Sequence, residues 1–287
     1  MKTTYASVVN AIIRPSRDEY DLSSLGPTEF EYQGVAYQRQ DLDLKNKRKL
    51  TLKCSHFRPV GKDPASLPCV VYLHTSLGSR VEALGVLHVL LPAGVTVFCL
   101  DFAGSGLSEG DFISLGYWER EDLAVVLDHL RSENASRPIG LWGRGMGAVA
   151  ALLQMKEDSD IAAAVLDSPY KSLPDLSKEL AKRVANTFDF LLNQIISKVI
   201  AKSVRKKAGF ELMSLIPIQD VESVHTPALF AAALQDSYIS PLHAEALVQA
   251  YGAQVKKIIK FEGDHNSPRP LYFLQEATRF LVQAFTK

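Results

Sequence analysis

The chain contains few cysteines. It has three in 287 residues, Cys54, Cys69 and Cys99. They are scattered and form no C-x-x-C pair, which excludes a disulfide framework and a zinc cluster of the common spacings. Cys69 and Cys99 lie within apolar runs, so we expect both to be small buried side chains. The pattern predicts neither a metal site nor a cofactor.

The sequence also lacks an excess of charge, since 32 Lys and Arg residues balance 32 Asp and Glu residues. A balanced charge gives no attraction toward nucleic acid, so no nucleic-acid partner is expected. No run approaches the roughly 20 apolar residues that a membrane-spanning helix needs. The first residues, MKTTYASVVNAIIRPSRDEYDL, place Arg14 and Arg17 soon after a short apolar stretch, which is a poor match to a signal peptide. We therefore expect a cytoplasmic protein.

What the chain does contain is a series of apolar runs that suit strands buried on both faces. Six are predicted: CVVYLH (69–74), VTVFCLDF (95–102), PIGLWG (138–143), AAAVLDS (162–168), PALFAAAL (227–234) and VKKIIKF (255–261). Helical periodicity falls between several of them. Strands that alternate with helices in this way predict an α/β fold, with a parallel sheet covered on both faces. The alternation in LTLKCSHF predicts one more strand, at the edge of the sheet.

Two segments depart from this alternation. Residues 1–48 are predicted to form an N-terminal extension, a short helix and then polar strands, packed on a core domain of residues 49–287. Between LDSPYK and HTPALF, at about residues 171–225, the pattern predicts helices and no strand. An insertion at this point would stand over the carboxyl ends of the strands, where open α/β sheets bind ligands.

The predicted insertion has a long apolar face that includes Phe188, Leu192, Ile196 and Ile200, with basic residues toward its C-terminal half. One interpretation is an ordinary amphipathic helix whose basic residues complement the C-terminal dipole. The other is a lid that shelters an apolar substrate. Docking of such a lid on a membrane surface is conceivable but not expected.

Residues 138–153, PIGLWGRGMGAVAALL, allow two incompatible interpretations. Gly143, Gly145 and Ala148 fit G-x-G-x-x-A, the turn that seats a dinucleotide pyrophosphate, and Asp167 follows near the spacing of a ribose-binding acid. With a serine at Gly145, the same residues would form the G-x-S-x-G elbow of a serine hydrolase. The dinucleotide motif usually opens its βαβ unit near the start of a domain, whereas strands and helices precede the turn here.

Two polar residues follow later strands. Asp236, in LQDSYISP, comes just past one apolar strand, and His265, in FEGDHNSPRP, comes just past the next. The order of turn, acid and base is the order found in α/β-hydrolases. Loops at the same edge of a sheet can converge. His265 would then reach the turn with one ring nitrogen while Asp236 fixes the tautomer at the other.

Together these motifs resemble the α/β-hydrolase superfamily, specifically its Bem46-like and serine-aminopeptidase-like (S33/S9-like) branch. The resemblance extends over AIIRPSRDEYDL, CSHFRP, VVYLH, LDFAGSGLSEG, LDSP and GDHNSPRP. It implies an α/β-hydrolase fold with a helical lid insertion. It also implies hydrolysis of an ester, thioester or amide bond in a small-molecule acyl or peptide substrate. The family pattern would read G-R-S-M-G where this sequence reads GRGMG, so Gly145 stands at the nucleophile position.

The glycine determines what chemistry is expected. Loss of a triad nucleophile costs on the order of a millionfold in turnover. The oxyanion donors are expected at the backbone N–H of Met146 and in the loop after YLH, with Ser76 preferred over Thr75. Two origins fit Gly145: it was introduced to trap an uncleaved substrate, or it is natural and the chain is a pseudo-hydrolase that binds a ligand or partner. A dinucleotide-binding oxidoreductase is the minor alternative.

Overall fold

Nine strands form one sheet in this computed structural model, which describes residues 5–184 and 190–286. In chain order they are β1 (Glu29–Tyr32), β2 (Val35–Lys45), β3 (Thr51–Pro59), β4 (Cys69–Leu73), β5 (Thr96–Leu100), β6 (Ile139–Arg144), β7 (Ala163–Asp167), β8 (Ala228–Ala233) and β9 (Lys256–Phe261). Their order across the sheet is β1-β2-β3-β5-β4-β6-β7-β8-β9.

The strands from β5 to β9 in this order run parallel to one another. Every residue of β4, β5, β7 and β8 is buried, as is β6 apart from its last residue. Burial on both faces is the reason these strands are apolar runs rather than alternating patterns. The six runs predicted as strands are strands here, each within two residues of its expected bounds. Cys69 and Cys99 are buried and unpaired, as expected.

The first three strands are antiparallel, and one prediction about them is wrong. Strand β3 was expected at the edge of the sheet, but it pairs with β2 on one side and β5 on the other. The edge is β1, which pairs with β2 alone. Alternation of apolar and polar residues indicates that the two faces of a strand lie in different environments. It contains no information on whether both sides of the strand are hydrogen-bonded, so the two cases look alike in sequence.

Helices cover both faces of the sheet. They are α1 (Tyr5–Ile13), α2 (Leu84–Leu90), α3 (Glu119–Glu133), α4 (Met146–Glu157), α5 (Leu173–Val184), α6 (Phe190–Ala208), α7 (Pro241–Ala250) and α8 (Leu271–Phe285). Side chains of α3, α4 and α7 share one core cluster, and those of α2 and α8 share the cluster on the opposite face. Each fully buried leucine in these clusters contributes roughly 2 kcal/mol through removal of its surface from water.

Between β7 and β8 the described residues form α5, α6 and three short 3₁₀ turns, and no strand. Val204 of α6 and the neighbouring Phe210 belong to the same buried cluster as Val9 and Ile13 of α1. Phe188 of the predicted apolar face lies outside the described residues, as do the side chains of Leu192 and Ile196. Action of this segment as a lid stays a prediction, as does the division of the chain at residue 48.

Within the described ranges, no helix has the length and apolarity needed to cross a bilayer.

Candidate active site

The glycine-rich turn joins the central strand β6 to helix α4. Gly145 precedes the first residue of α4, Met146, and has backbone angles of φ 54° and ψ −114°. A positive φ of this kind is adopted by glycine without strain. The N–H of Gly145 donates a 2.8 Å hydrogen bond to the carbonyl oxygen of Asp167, at the end of β7. The turn is thereby fixed to the neighbouring strand.

The two outer glycines of the turn are required by close backbone packing. A Cβ on Gly143 would lie 2.4 Å from the carbonyl oxygen of Gly147. A Cβ on Gly147 would lie 2.1 Å from the carbonyl oxygen of Leu73 in β4. Neither backbone group can move aside as a flexible side chain could. Only glycine at both positions lets α4 begin this close to β4 and β6.

The central glycine, by contrast, has free space beside it. A Cβ on Gly145 would meet His265 Nε2 at 3.5 Å, His265 Cε1 at 3.6 Å and Thr75 Cγ2 at 3.8 Å. These are ordinary van der Waals distances, so a small side chain fits. Its first atom would face the Nε2 edge of the imidazole.

Asp236 and His265 meet, although they follow different strands, β8 and β9. His265 Nδ1 lies 2.7 Å from Asp236 Oδ2, and their side chains are 11% and 1% exposed. The other carboxylate oxygen, Oδ1, accepts the backbone N–H groups of Tyr238 at 2.8 Å and Ile239 at 2.7 Å. A carboxylate only accepts, so Nδ1 bears the proton of this bond. Nε2 is then an acceptor directed toward Gly145.

The ring of Tyr238 covers part of the imidazole of His265, with ring centroids 5.2 Å apart. Burial raises the pKa of Tyr238, and the negative charge of Asp236 raises it further, so this phenol stays neutral. Nothing in the sequence pattern singles out Tyr238, because its position opposite His265 depends on how two distant loops meet.

The loop after β4 contains the candidate oxyanion donors. Thr75 is engaged by the carboxylate of Glu82: its Oγ1 lies 2.6 Å from Oε1, and its N–H lies 3.3 Å from Oε2. The N–H groups of Ser76 and Met146, by contrast, donate to no acceptor among the described residues. Free donors at these two positions are what an oxyanion site requires. Thr75 instead contributes its methyl group to the wall beside Gly145.

His74 fixes the start of the same loop. Its Nε2 accepts the backbone N–H of Phe102 at 3.0 Å, which leaves its Nδ1 to donate to the carbonyl oxygen of Thr75 at 2.6 Å. His74 is fully buried. Both ring nitrogens are used by backbone groups, so this histidine has a structural role.

The acids that end two other strands behave differently from each other. The carboxylate of Asp101 accepts the backbone N–H groups of Arg80 and Leu107. The carboxylate of Asp167 instead pairs with the Arg269 guanidinium at 2.6 and 3.0 Å. This pairing across 102 residues had no sequence signal. It also occupies the carboxylate that the dinucleotide interpretation assigned to a ribose.

Among the residues that the structure describes, no three His, Cys, Asp or Glu side chains are grouped as a metal ion would need.

Comparison with known proteins gives a family match. The sequence profile of the serine aminopeptidase family S33 matches residues 70–215, about half of the chain. The uncharacterized protein YqkD of Bacillus subtilis is 24% identical over 199 residues, which are 68% of this chain and 64% of that protein. The protein bem46 of Schizosaccharomyces pombe is 27% identical over 154 residues, 52% of this chain and 50% of that protein. This chain thus spans between half and just under two thirds of the length of these relatives.

Solved structures show the same fold. An esterase of Pyrococcus furiosus superposes with a TM-score of 0.71 at 19% identity, covering 96% of this chain and 98% of the esterase. Est1E from Butyrivibrio proteoclasticus, with ferulic acid bound, gives a TM-score of 0.68 at 18% identity, covering 86% of this chain and 100% of the other. At these identities the likeness establishes the architecture.

Proposed function

This chain belongs to the serine aminopeptidase family S33 of α/β-hydrolases, and we propose that it is a serine-hydrolase scaffold with Gly145 at the position of the nucleophile. In this proposal His265 is the general base, Asp236 orients it, and the N–H groups of Met146 and Ser76 form the oxyanion site. The bond type is an ester, thioester or amide in a small acyl or peptide substrate.

The observation that supports this proposal most directly is the position of His265. Its Nε2 lies 3.5 Å from the point where a Cβ on Gly145 would be, and its Nδ1 is bonded to Asp236. A serine Oγ is one bond beyond that Cβ, so it can reach hydrogen-bond distance of Nε2 by rotation about χ1. This is the arrangement in which an imidazole accepts the proton of an attacking hydroxyl.

With serine at 145, the chemistry follows from these contacts. The hydroxyl oxygen attacks the carbonyl carbon as its proton moves to His265 Nε2, and Asp236 stabilises the imidazolium that forms. The negative charge on the former carbonyl oxygen is met by the two free N–H groups. His265 then gives its proton to the leaving group, and an acyl-enzyme remains for water to hydrolyse.

With glycine at 145, the first step has no nucleophile and no acyl-enzyme forms. The acid, the base and the oxyanion donors are still placed around the vacant position, so the chain keeps the means to bind a substrate without cleaving it. A water activated by His265 gives at most a small residual rate, because it lacks the fixed position of a bonded hydroxyl.

Helices α5 and α6 are proposed as the lid, because they follow β7 at the carboxyl edge of the sheet. A polar contact connects α5 with α7: His243 Nε2, at the start of α7, lies 3.1 Å from Glu179 Oε2 in α5. Burial lowers the pKa of His243, although the nearby Glu179 opposes that shift. The apolar face predicted for the segment favours a hydrophobic acyl group.

The test is to restore the hydroxyl. The variants Gly145→Ser and Gly145→Ala are compared with the parent chain on p-nitrophenyl esters of two to eight acyl carbons and on an aminoacyl p-nitroanilide. We expect Gly145→Ser to gain turnover by on the order of 10⁵ to 10⁶. Gly145→Ala adds the same Cβ without the oxygen and is expected to stay as inactive as the parent.

The acyl or aminoacyl compound that is turned over fastest identifies the substrate class. A folded Gly145→Ser protein that cleaves none of these compounds would contradict the proposal. It would favour the alternative, a pseudo-hydrolase whose role is to bind a ligand or a partner.

A further inference from the structure

We propose that Arg144, Asp167 and Arg269 form an arginine clamp that positions His265 against the glycine turn. The catalytic consequence of the clamp rests on the function proposed above. The positioning itself is a property of the parent chain and can be measured without activity.

The core of the clamp is a bidentate ion pair between Arg269 and Asp167. Arg269 Nε lies 2.6 Å from Asp167 Oδ2, and Arg269 Nη2 lies 3.0 Å from Asp167 Oδ1. The two side chains are 6% and 1% exposed. The planar guanidinium fork matches the two carboxylate oxygens, and a lysine, with one point charge, cannot reproduce this geometry. The pair therefore fixes orientation as well as distance.

The remaining nitrogen of Arg269 holds the backbone on both sides of the catalytic imidazole. Its Nη1 donates to the carbonyl oxygens of Asp264 at 3.2 Å and Ser267 at 2.9 Å. His265 lies between these two residues. One guanidinium thus ties the loop that follows β9 to the end of β7.

Arg144 makes the second connection, from the turn itself. It directly precedes Gly145, and its Nη2 donates to the carbonyl oxygen of His265. Its Nε lies 3.9 Å from Asp167 Oδ2. Asp167 also accepts the N–H of Gly145 through its backbone carbonyl oxygen at 2.8 Å. The same residue therefore anchors the turn through its main chain and the histidine loop through its carboxylate.

The clamp and the bond to Asp236 act on different parts of His265. That bond fixes the tautomer of the imidazole and one of its nitrogens, whereas the clamp fixes the main chain from which the imidazole extends. A displacement of about 1 Å in a catalytic group costs on the order of 100-fold in rate. Loosening the clamp is therefore expected to affect turnover while Asp236 and the tautomer are retained.

We expect the fold to tolerate a shortened side chain in the clamp. A cleft of about 330 Å³ opens beside it, lined in part by Arg144, Asp167 and Arg269. Water can enter this space when a side chain is shortened, so the remaining polar groups keep partners. The conservative variant Arg269→Lys retains the positive charge and removes only the fork.

The first experiment measures His265 in the parent chain by NMR. The signal is the Nδ1 proton shared with Asp236, and the quantity is its rate of exchange with solvent. We expect Arg269→Lys to raise this rate at least tenfold. The matched control is Arg279→Lys, because Arg279 is 69% exposed on α8 and its ion pair within the described part of the chain is with Glu276 of its own helix. An exchange rate in Arg269→Lys equal to that of the control would overturn the proposal.

If circular dichroism shows that Arg269→Lys does not fold, the same measurement is made on Arg144→Lys. Its side chain is 15% exposed and it loses only the turn-side connection. An increase of at least threefold is expected. An unchanged exchange rate there would equally overturn the clamp.

The second experiment uses Gly145→Ser as the background. Adding Arg269→Lys is expected to lower kcat by 10- to 100-fold with KM within twofold, because the base is displaced while the substrate contacts are kept. Adding Arg279→Lys is expected to change neither. A lower kcat accompanied by an equally raised KM would indicate a general structural role and contradict the positioning role.

The two experiments separate the two proposals. If Gly145→Ser never becomes active although its clamp is intact, the proposed function is wrong and the exchange measurement still decides the clamp. If Gly145→Ser is active but Arg269→Lys leaves the exchange rate of the His265 Nδ1 proton unchanged, the clamp is wrong and the proposed function is retained.

Discussion

The outer and central glycines of the turn differ in the space that is available for a side chain. At Gly143 and Gly147, a Cβ would lie 2.4 and 2.1 Å from backbone oxygen atoms, so no other residue fits. At Gly145, a Cβ would lie no closer than 3.5 Å to any neighbour, and that neighbour is His265 Nε2. The outer positions are set by packing and the central one is open.

This difference separates the fold from the chemistry. The outer glycines allow α4 to start against β4 and β6, which forms the turn whichever residue is at its centre. The central residue decides only whether a nucleophile faces the imidazole. The chain therefore has the architecture of an α/β-hydrolase, and in the function proposed above one position, with no packing role, removes the first chemical step.

The largest expected effect is on rate and involves the residues around the central position. In the Gly145→Ser background, His265→Ala should return ester turnover to the level of the parent chain, a loss on the order of 10⁵- to 10⁶-fold. Asp236→Asn should cost about 10⁴-fold, because the histidine loses its tautomer but the oxyanion donors persist. Steady-state kinetics with a p-nitrophenyl ester measure both. A loss below tenfold in either variant would show that the restored serine does not act through this pair.

The next largest expected effect is on the free energy of unfolding, and it involves the outer glycine Gly147. Gly147→Ala places a methyl group against the carbonyl oxygen of Leu73, and neither backbone can yield without displacing a central strand or α4. We expect the free energy of unfolding to fall by about 3 kcal/mol or more, measured by urea denaturation. Gly85→Ala, in helix α2 where an added Cβ has no atom within 4 Å, is the matched control and should gain about 1 kcal/mol from helix propensity. A gain at Gly147 equal to the gain at Gly85 would mean that close packing at Gly147 is unimportant.

The pH dependence of stability should come from buried groups away from the turn. Burial, with Arg137 and Arg58 nearby, lowers the pKa of His56 on β3 to about 3. Below the ordinary pKa of 6.5, His56 binds a proton in the unfolded chain but stays neutral in the folded chain. The contribution of His56 to the free energy of unfolding therefore falls by about 1.4 kcal/mol for each pH unit from 6.5 down toward 3. Burial raises the pKa of Asp122 to about 6, which opposes the trend because the folded chain then binds the proton more readily.

Unfolding measured at pH 6.5, 5.5 and 4.5 checks this prediction. The His56→Gln variant should lose the destabilising contribution that the parent shows on acidification. The slope should be the same with glycine or serine at 145, since strands β5 and β4 lie between β3 and β6. If the slope of the free energy of unfolding against pH changed with residue 145, the turn would contribute to acid sensitivity. The residue at the centre of the turn would then affect the fold as well as the chemistry.

The smallest effect is the cost of a side chain at the central position. Gly145→Ala should lower the free energy of unfolding by only about 1 kcal/mol, because its Cβ meets no close neighbour and the cost is the positive φ. Urea denaturation beside Gly147→Ala makes the comparison direct. A loss at 145 as large as the loss at 147 would remove the contrast between open and packed positions.

Much of the architecture could be predicted from the sequence, because strands buried on both faces produce apolar runs with recognisable ends. CVVYLH and PALFAAAL are examples, and both are central strands. The proximity of Asp236 and His265 could also be predicted, because each comes directly after such a run and parallel strands end at one edge of the sheet. The structure brings these two side chains within 2.7 Å of each other.

Other features depended on contacts that leave no periodic signal. Helix α8 is an omission of a different kind: it was not predicted, although its buried Phe273, Ala277 and Phe280 recur at helical spacing, so the periodic signal was present in the sequence. Arg144 and Arg269 stand inside the motifs GRGMG and GDHNSPRP, but their shared partner Asp167 is set by the topology of the sheet. The preference for Ser76 over Thr75 as an oxyanion donor now rests on Glu82, which occupies the N–H of Thr75. No residue spacing indicates that contact.

Covalent labelling is the most direct test that residue 145 faces His265 as a nucleophile. The parent chain, Gly145→Ser and Gly145→Ser with His265→Ala are treated with a fluorophosphonate, and the modified peptide is identified by mass spectrometry. We predict one adduct, on residue 145 of Gly145→Ser alone. It would be contradicted by a folded Gly145→Ser protein that takes no label, or by labelling of the parent chain at another serine such as Ser76 or Ser168.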